Sequence, residues 1–358
     1  MQGAQRLVER RRCAARGGGG DGAQLRHGDR HRALPRVEIS RQKIFQRGFL
    51  RPNHALVTRH YFRGAYYPVG GAAAFARALV PEIERAGGAV RVNAHVQALI
   101  VEDEAVVGVR LADASELRAP KVFSAIGARN TVELLPQELR RASWATEVLS
   151  FSPSVCHVAL YLGLEGDIRS CGATAANHWF HANWNVDPGV WRDPAGDPVP
   201  PVLFVSFPTL KDPSHDPGGR ERHCAEIVAM CAWEPFASWR DSTLGHRPPE
   251  YEQLKSRIEQ HLLAQFARHF PALASMVVAR ETSTPLTTAA YIGSQQGAAY
   301  GIEVSPRRFL SDALRPKTPV PGLFLAGQDV VTPGVMGAMM GGVVAACAAE
   351  PKLVAHLP

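Results

Sequence analysis

The sequence has no apolar run near the roughly 20 residues that a membrane-spanning helix requires. It has no C-x-x-C pair, so the metal and dithiol-redox signatures built on that spacing are excluded. Its six cysteines, Cys13, Cys156, Cys171, Cys224, Cys231 and Cys347, are too scattered to frame a disulfide-stapled fold. Reduced thiols and a cytoplasmic setting are expected. No continuous apolar stretch marks the beginning of the chain, so a secretory signal is not expected either. No serine–histidine–aspartate arrangement, H-E-x-x-H helix or phosphate-binding P-loop is recognisable. Hydrolytic and triphosphate-driven chemistry therefore lack a sequence basis.

What is present is an ordinary globular composition, 46% hydrophobic and 20% charged, in 358 residues, enough for about two domains. The formal net charge is +7, but it is unevenly held. Residues 1–60 carry thirteen Arg and one Lys against two Asp and two Glu, so the remainder is slightly acidic. The basicity belongs to an arm, and no specific nucleic-acid partner is expected of the folded body. The Arg/Gly-rich stretch 1–59 reads as a poorly ordered tail, a segment for RNA or anionic lipid, or a misassigned start. It contains a formal G-x-G-x-x-G at Gly17, Gly19 and Gly22. A dinucleotide fingerprint needs a buried strand before it and an amphipathic helix after it. Here Glu9 to Arg16 is too charged for such a strand, and Ala23 to Arg30 is too polar and soon broken. His27 and His31 lack a helix pattern and make no metal pair.

The most informative stretch lies near the end. Leu323 to Ala326 is an apolar run bounded by glycine on both sides, as expected of a covered strand. Gly327-Gln328-Asp329 follows as a turn with one acid. Thr332-Pro333-Gly334 then opens a run of small and apolar residues, Val335 to Ala349, that reads as a buried helix. Such a helix start favours an anion or a polarised carbonyl. Gly334 and Gly337 are expected to admit a ligand to the backbone, and Gly341-Gly342 to allow close helix packing. Asp329 reads either as an acceptor for ligand hydroxyls or as a solvated corner residue.

This stretch resembles the C-terminal flavin-binding motif of the phytoene desaturase and retinol saturase group of FAD-dependent oxidoreductases. The resemblance spans roughly residues 60–350. It implies a mixed α/β fold: an incomplete FAD-binding domain of the two-dinucleotide-binding-domain flavoprotein type, at 60–149 and 300–358, with an inserted antiparallel-sheet substrate domain at 150–299. It implies FAD contacts at Gly327, Asp329, Gly334, Val335 and Met336. The turn Tyr67-Pro68-Val69-Gly70-Gly71 matches a segment beside the cofactor, which adds Gly70 and Gly71. Val96 is carried over as the backbone edge near the adenine, and Ala125 and Gly127 as a strand end passing close to the cofactor. Tyr300 is carried over as a flavin-facing or substrate-lining aromatic.

Local patterns fill in the rest. A helix is expected over about Ala72–Ala86, with Phe75, Leu79 and Ile83 on its core face and Gly87-Gly88 at its end. Strands are expected at Ala89–Val92 and Val96–Val101, then a meander through Val106–Leu111 and Glu116–Arg118, and a further strand at Lys121–Ile126. In the middle region four strands (155–162, 175–184, 202–208, 224–233) precede a helix at 250–269 whose Leu254, Ile258, Leu262 and Phe266 share a face. His178 and His181 fall on opposite faces of a strand and are no metal pair. Trp179 and Phe180 between them line an apolar substrate pocket or belong to the core.

The resemblance further implies hydride or electron transfer at C=C or CH–CH bonds of an apolar, carotenoid- or retinoid-like polyene, and peripheral membrane contact to reach it. The βαβ unit that carries the glycine fingerprint in this group is not found in the sequence. The alternative expectation is a non-catalytic protein that keeps the fold without binding flavin. No residue stands out as a catalytic acid or base.

Overall fold

The computed structural model describes residue 62 and residues 64–184 and 189–357. The expectations for residues 1–59, including the glycine motif and His27/His31, lie outside them. The chain divides into two units, residues 1–78 and 79–358.

In the first unit the Pro68–Gly71 turn closes through the Gly71 N–H to the Pro68 carbonyl at 3.0 Å, with Gly70 at φ +83°. That is a type II turn with glycine at its third position. The Arg77 guanidinium donates to the Gly70 carbonyl. Helix α1, Ala73–Arg85, runs on across the division between the units. It ends as expected, with the Gly88 N–H on the Ile83 carbonyl. Its apolar stripe is not core: Phe75, Leu79 and Ile83 are 39–52% exposed. Periodicity marks a face that needs a partner, and among the described residues that face stays open. Residues 89–92 form no strand. They are exposed and lead into Asn93 at φ +56°.

The second unit begins with the antiparallel meander β1 (Val96–Glu102), β2 (Ala105–Leu111) and β3 (Glu116–Arg118). Strand β4 (Val122–Ser124) leaves that sheet and pairs in parallel with β10 (Leu323–Leu325). Val122 and Ser124 turn their backbone groups toward β10. By the alternation of a parallel ladder, Phe123 turns its own to the other edge, where no described strand pairs with it. Three short helices follow: α2 (Ala128–Glu133), α3 (Gln137–Arg140) and α4 (Ser143–Leu149). Their apolar faces join the strands in one core around Val106, Val132, Trp144, Val148, Leu314 and Leu323.

A second core surrounds a five-stranded antiparallel sheet. It comprises β5 (Cys156–Glu165), β6 (His178–His181), β7 (Val202–Ser206), β8 (Arg222–Cys231) and β9 (Val277–Ser283), in the order β6-β7-β8-β5-β9. Helix α5 (Pro249–His269), followed by the single turn α6 (Pro271–Ala274), covers one face. Its Ile258, Leu262 and Phe266 are fully buried against Leu160, Leu162 and Ile227. Helix α7 (Pro285–Ile292) begins in a capping box between Thr284 and Thr287. Helix α8 (Pro306–Leu310) precedes β10, and helix α9 (Val335–Ala349) closes the unit.

The chain crosses between the two cores at residues 151–155 and again at 298–303. These two crossings are bonded to each other. Ser154 N–H donates to the Gly301 carbonyl at 2.7 Å, Ala299 N–H to that of Val155, and Glu303 N–H to that of Ser152.

Candidate functional site

Strands β4 and β10 are parallel, so their C-terminal ends emerge side by side as Ala125-Ile126-Gly127 and Ala326-Gly327-Gln328-Asp329. In open parallel sheets ligands collect at this end. The two ends and the 298–302 crossing line a cleft of about 210 Å³, together with Arg129, Asn130, Ser294 and Gln295. Cofactor and drug-sized pockets run to about 300–1,000 Å³. The cleft is therefore the right size for one portion of a large ligand.

Asp329 is the polar centre, and it is not a solvated corner residue. It is 4% exposed. One carboxylate oxygen accepts the Ala128 N–H at 2.9 Å, and the other accepts the Ile302 N–H at 3.0 Å. The side chain thus ties the end of β4, the end of β10 and the return crossing to one point. Gly301, at φ +65°, has no room for a side chain: a Cβ there would lie 2.3 Å from an Asp329 carboxylate oxygen. Arg308, equally buried, donates to the Ile302 and Gln328 carbonyls and stands 4.0 Å from the carboxylate. Burial pulls its guanidinium below the ordinary range, and Asp329 opposes that shift.

Arg129 braces the other wall through Gln295 and the Leu149 and Phe151 carbonyls. Asn130 spans the Ile126 and Gly293 carbonyls at 3.0 and 2.8 Å. One lining group is left over. The Ser294 hydroxyl is buried with no hydrogen-bond partner among the described residues. Ile126, Ile292, Pro153 and Ile302 supply apolar walls.

Of the residues expected from the sequence, the structure brings Ala125, Gly127 and Asp329 into the cleft. Gly327 lies behind it, packed on α9. That helix is not buried all round. Its inner stripe is Gly337, Gly341 and Ala345, while Val335, Met336, Met339 and Met340 are 43–58% exposed. Gly337 abuts the Thr332 carbonyl, so it serves packing and not ligand approach. A Cβ on Gly341 would lie 2.0 Å from the Gly327 carbonyl oxygen, whereas Gly342 faces open space. Gly334 is open too. Val96 sits at the start of β1 opposite Leu111 and does not line the cleft. Gly70 and Gly71 belong to the first unit. Tyr300 is 39% exposed, outside the cleft lining. Trp179 and Phe180 part company: Phe180 stacks on His269 in the core, and Trp179 lies on the other sheet face against Phe204. Arg129, Asn130, Ser294, Gln295 and Arg308 carry no motif, and the sequence reading missed them.

A family model described as flavin containing amine oxidoreductase matches residues 50–349. The chain belongs to that family. It is 30% identical over 310 residues to the all-trans-retinol 13,14-reductase of Rattus norvegicus, covering 82% of this chain and 51% of that one. It is 27% identical over 297 residues to the chloroplastic prolycopene isomerase of Daucus carota, covering 81% of this chain and 45% of the other. These likenesses bear out the resemblance to the retinol saturase and phytoene desaturase group. A solved structure of a putrescine oxidase variant, 15% identical, matches with a TM-score of 0.51 over 81% of this chain and 54% of its own, which shows a common fold. The chain spans about half the length of the curated relatives it matches.

Proposed function

We propose that this chain forms the substrate-facing part and one wall of the cofactor site of an FAD-dependent oxidoreductase. Its substrate is an apolar polyene, carotenoid- or retinoid-like, changed at a C=C or CH–CH bond. The observation that carries this reading is the cleft at the paired ends of β4 and β10, locked by Asp329 between the Ala128 and Ile302 N–H groups. Ala125, Gly127 and Asp329 would hold FAD there, with Gly327 setting the backbone behind it. Gly334, Val335 and Met336, exposed at the start of α9, and Val96 are the further contacts that the resemblance proposes. When bound, the flavin supplies hydride or electron transfer.

The protein's own part is orientation and dryness. Asp329 and Arg308 fix the cleft floor, Arg129 holds its wall, and the isoleucines exclude water. A polyene of this kind partitions into membranes, so the proposal includes peripheral membrane contact. No helix among the described residues is long and apolar enough to cross a membrane.

The test is a visible absorbance spectrum of the purified chain before and after titration with FAD. A flavin band that stays with the protein through desalting is expected. Absence of retained flavin at saturating FAD overturns the proposal for this chain.

A further inference from the structure

Two consecutive arginines on α8 part ways. Arg307 turns outward: it donates to the Ser150 hydroxyl, and its guanidinium lies over the Phe151 ring at 4.4 Å. Arg308 turns inward and is 3% exposed. Ser305 caps the helix by accepting the Arg308 N–H, which fixes the backbone from which that side chain departs. One terminal nitrogen of the guanidinium donates to the Ile302 carbonyl and the other to that of Gln328. The Ile302 N–H in turn donates to Asp329 at 3.0 Å, and Gln328 precedes Asp329 in the chain. The contacts therefore close a loop: Asp329 to Ile302, Ile302 to Arg308, Arg308 to Gln328, and back to Asp329 along the backbone. Ile302, Gln328 and Asp329 line the cleft, and Arg308 does not. Whatever Arg308 does for a ligand, it does through those three.

We propose that Arg308 is a positioning residue for the cofactor wall, and that it acts through the shape of its guanidinium more than through its charge. It stands 4.0 Å from the Asp329 carboxylate, a distance at which any cation would compensate the buried anion. The two carbonyls ask for more. They belong to separate segments, the return crossing and the end of β10, and must be met at once by donors set in one plane. A guanidinium presents such a fork. An ammonium is a compact charge on a flexible stem, and it reaches one carbonyl at the expense of the other. With the fork gone, Ile302 keeps its tie to Asp329 but loses its fixed distance from Gln328, and the cleft wall is no longer held at one width. The role rests on the reading of the cleft as the flavin site, but the hold on the wall is measurable without flavin.

The experiment compares Arg308→Lys with the wild-type chain and takes Arg307→Lys as its control. FAD affinity is read by flavin fluorescence titration, per folded protein and well below the unfolding midpoint of each variant. Loss of one charge-assisted hydrogen bond from the wall should weaken FAD about tenfold or more in Arg308→Lys. Arg307→Lys should leave the affinity unchanged. Amide hydrogen exchange, followed by mass spectrometry, supplies a readout without flavin. Exchange in the 298–303 segment should quicken about tenfold in Arg308→Lys, while the β5–β8 ladder stays as protected as before. Equal FAD affinity in the wild type and Arg308→Lys overturns the proposal, because charge alone then suffices. Unchanged exchange in 298–303 overturns it too, as does quickened exchange across the whole chain, which marks a merely structural loss. If the wild-type chain retains no flavin, the flavin reading fails, and exchange in 298–303 alone decides whether Arg308 holds the wall. If Arg308→Lys does not fold, the wild-type guanidinium decides by NMR. A fork held at both tips turns slowly and gives separate Nη signals, and averaged signals overturn the proposal.

Discussion

Both cores of the larger unit bury apolar side chains, and the one around the parallel pair adds buried charged contacts to them. The five-stranded sheet has a ten-residue β5–β8 ladder, and a 21-residue helix seals one face with Ile258, Leu262 and Phe266. It is stabilised by apolar burial, as domains usually are. The parallel pair β4–β10 has three residues per strand, and no described strand pairs with its Phe123 edge. Parallel sheets are ordinarily covered and extended. Here their place is fixed by a buried carboxylate, a buried guanidinium and a helix of small residues pressed onto Gly327. The region with the cleft is thus the one where directional polar contacts supplement the apolar core and fix the strand ends.

Substitutions can break that comparison at either end. The largest effect is expected at Gly341. Gly341→Ala drives a methyl into the Gly327 backbone and should cost more than about 4 kcal/mol or prevent folding. Its neighbour is the control. Gly342→Ala meets nothing and should be neutral, or stabilising by up to about 1 kcal/mol through helix propensity. Denaturant midpoints of the pair check this, and equal effects at the two positions would sink the close-packing account.

In the other core, Phe266→Ala should cost about 3–5 kcal/mol by leaving a cavity. It should leave any FAD retention by the surviving folded fraction unchanged, as flavin absorbance per folded protein would show. Lost retention there would mean the two cores are not independent.

The smallest effect expected is on pH dependence. Burial lowers His157 below its ordinary 6.5, so the unfolded chain binds its proton more readily than the native one. Stability should therefore rise with pH in the window just below 6.5 and level off above it. Urea midpoints across that window should show the slope, and His157→Gln should flatten part of it.

Much of this architecture was legible as local pattern. Helix α9 spans the Val335–Ala349 run that Thr332-Pro333-Gly334 opens, and α5 buries the face its period announces. What local pattern cannot show is the partner. The stripe on α1 has flawless spacing and stays exposed. Trp179 and Phe180 had to face opposite ways, yet only the strands packed beside them decide which one enters the core. Asp329 stood out as an acid in a glycine-rich turn, but its work is done on Ala128, 201 residues away. Ser294 and Arg129 had no signal at all, because their roles arise only from long-range closure.

The double crossing at 151–155 and 298–303 has a mechanical consequence. Two chain passages that are bonded to each other behave as one ribbon, so the sheet core can tilt against the other core mainly by bending that ribbon. Pro153, Gly301 and Ile302 belong both to the ribbon and to the cleft wall. Any such tilt must therefore widen or narrow the cleft, and the movement would be carried there through the backbone itself.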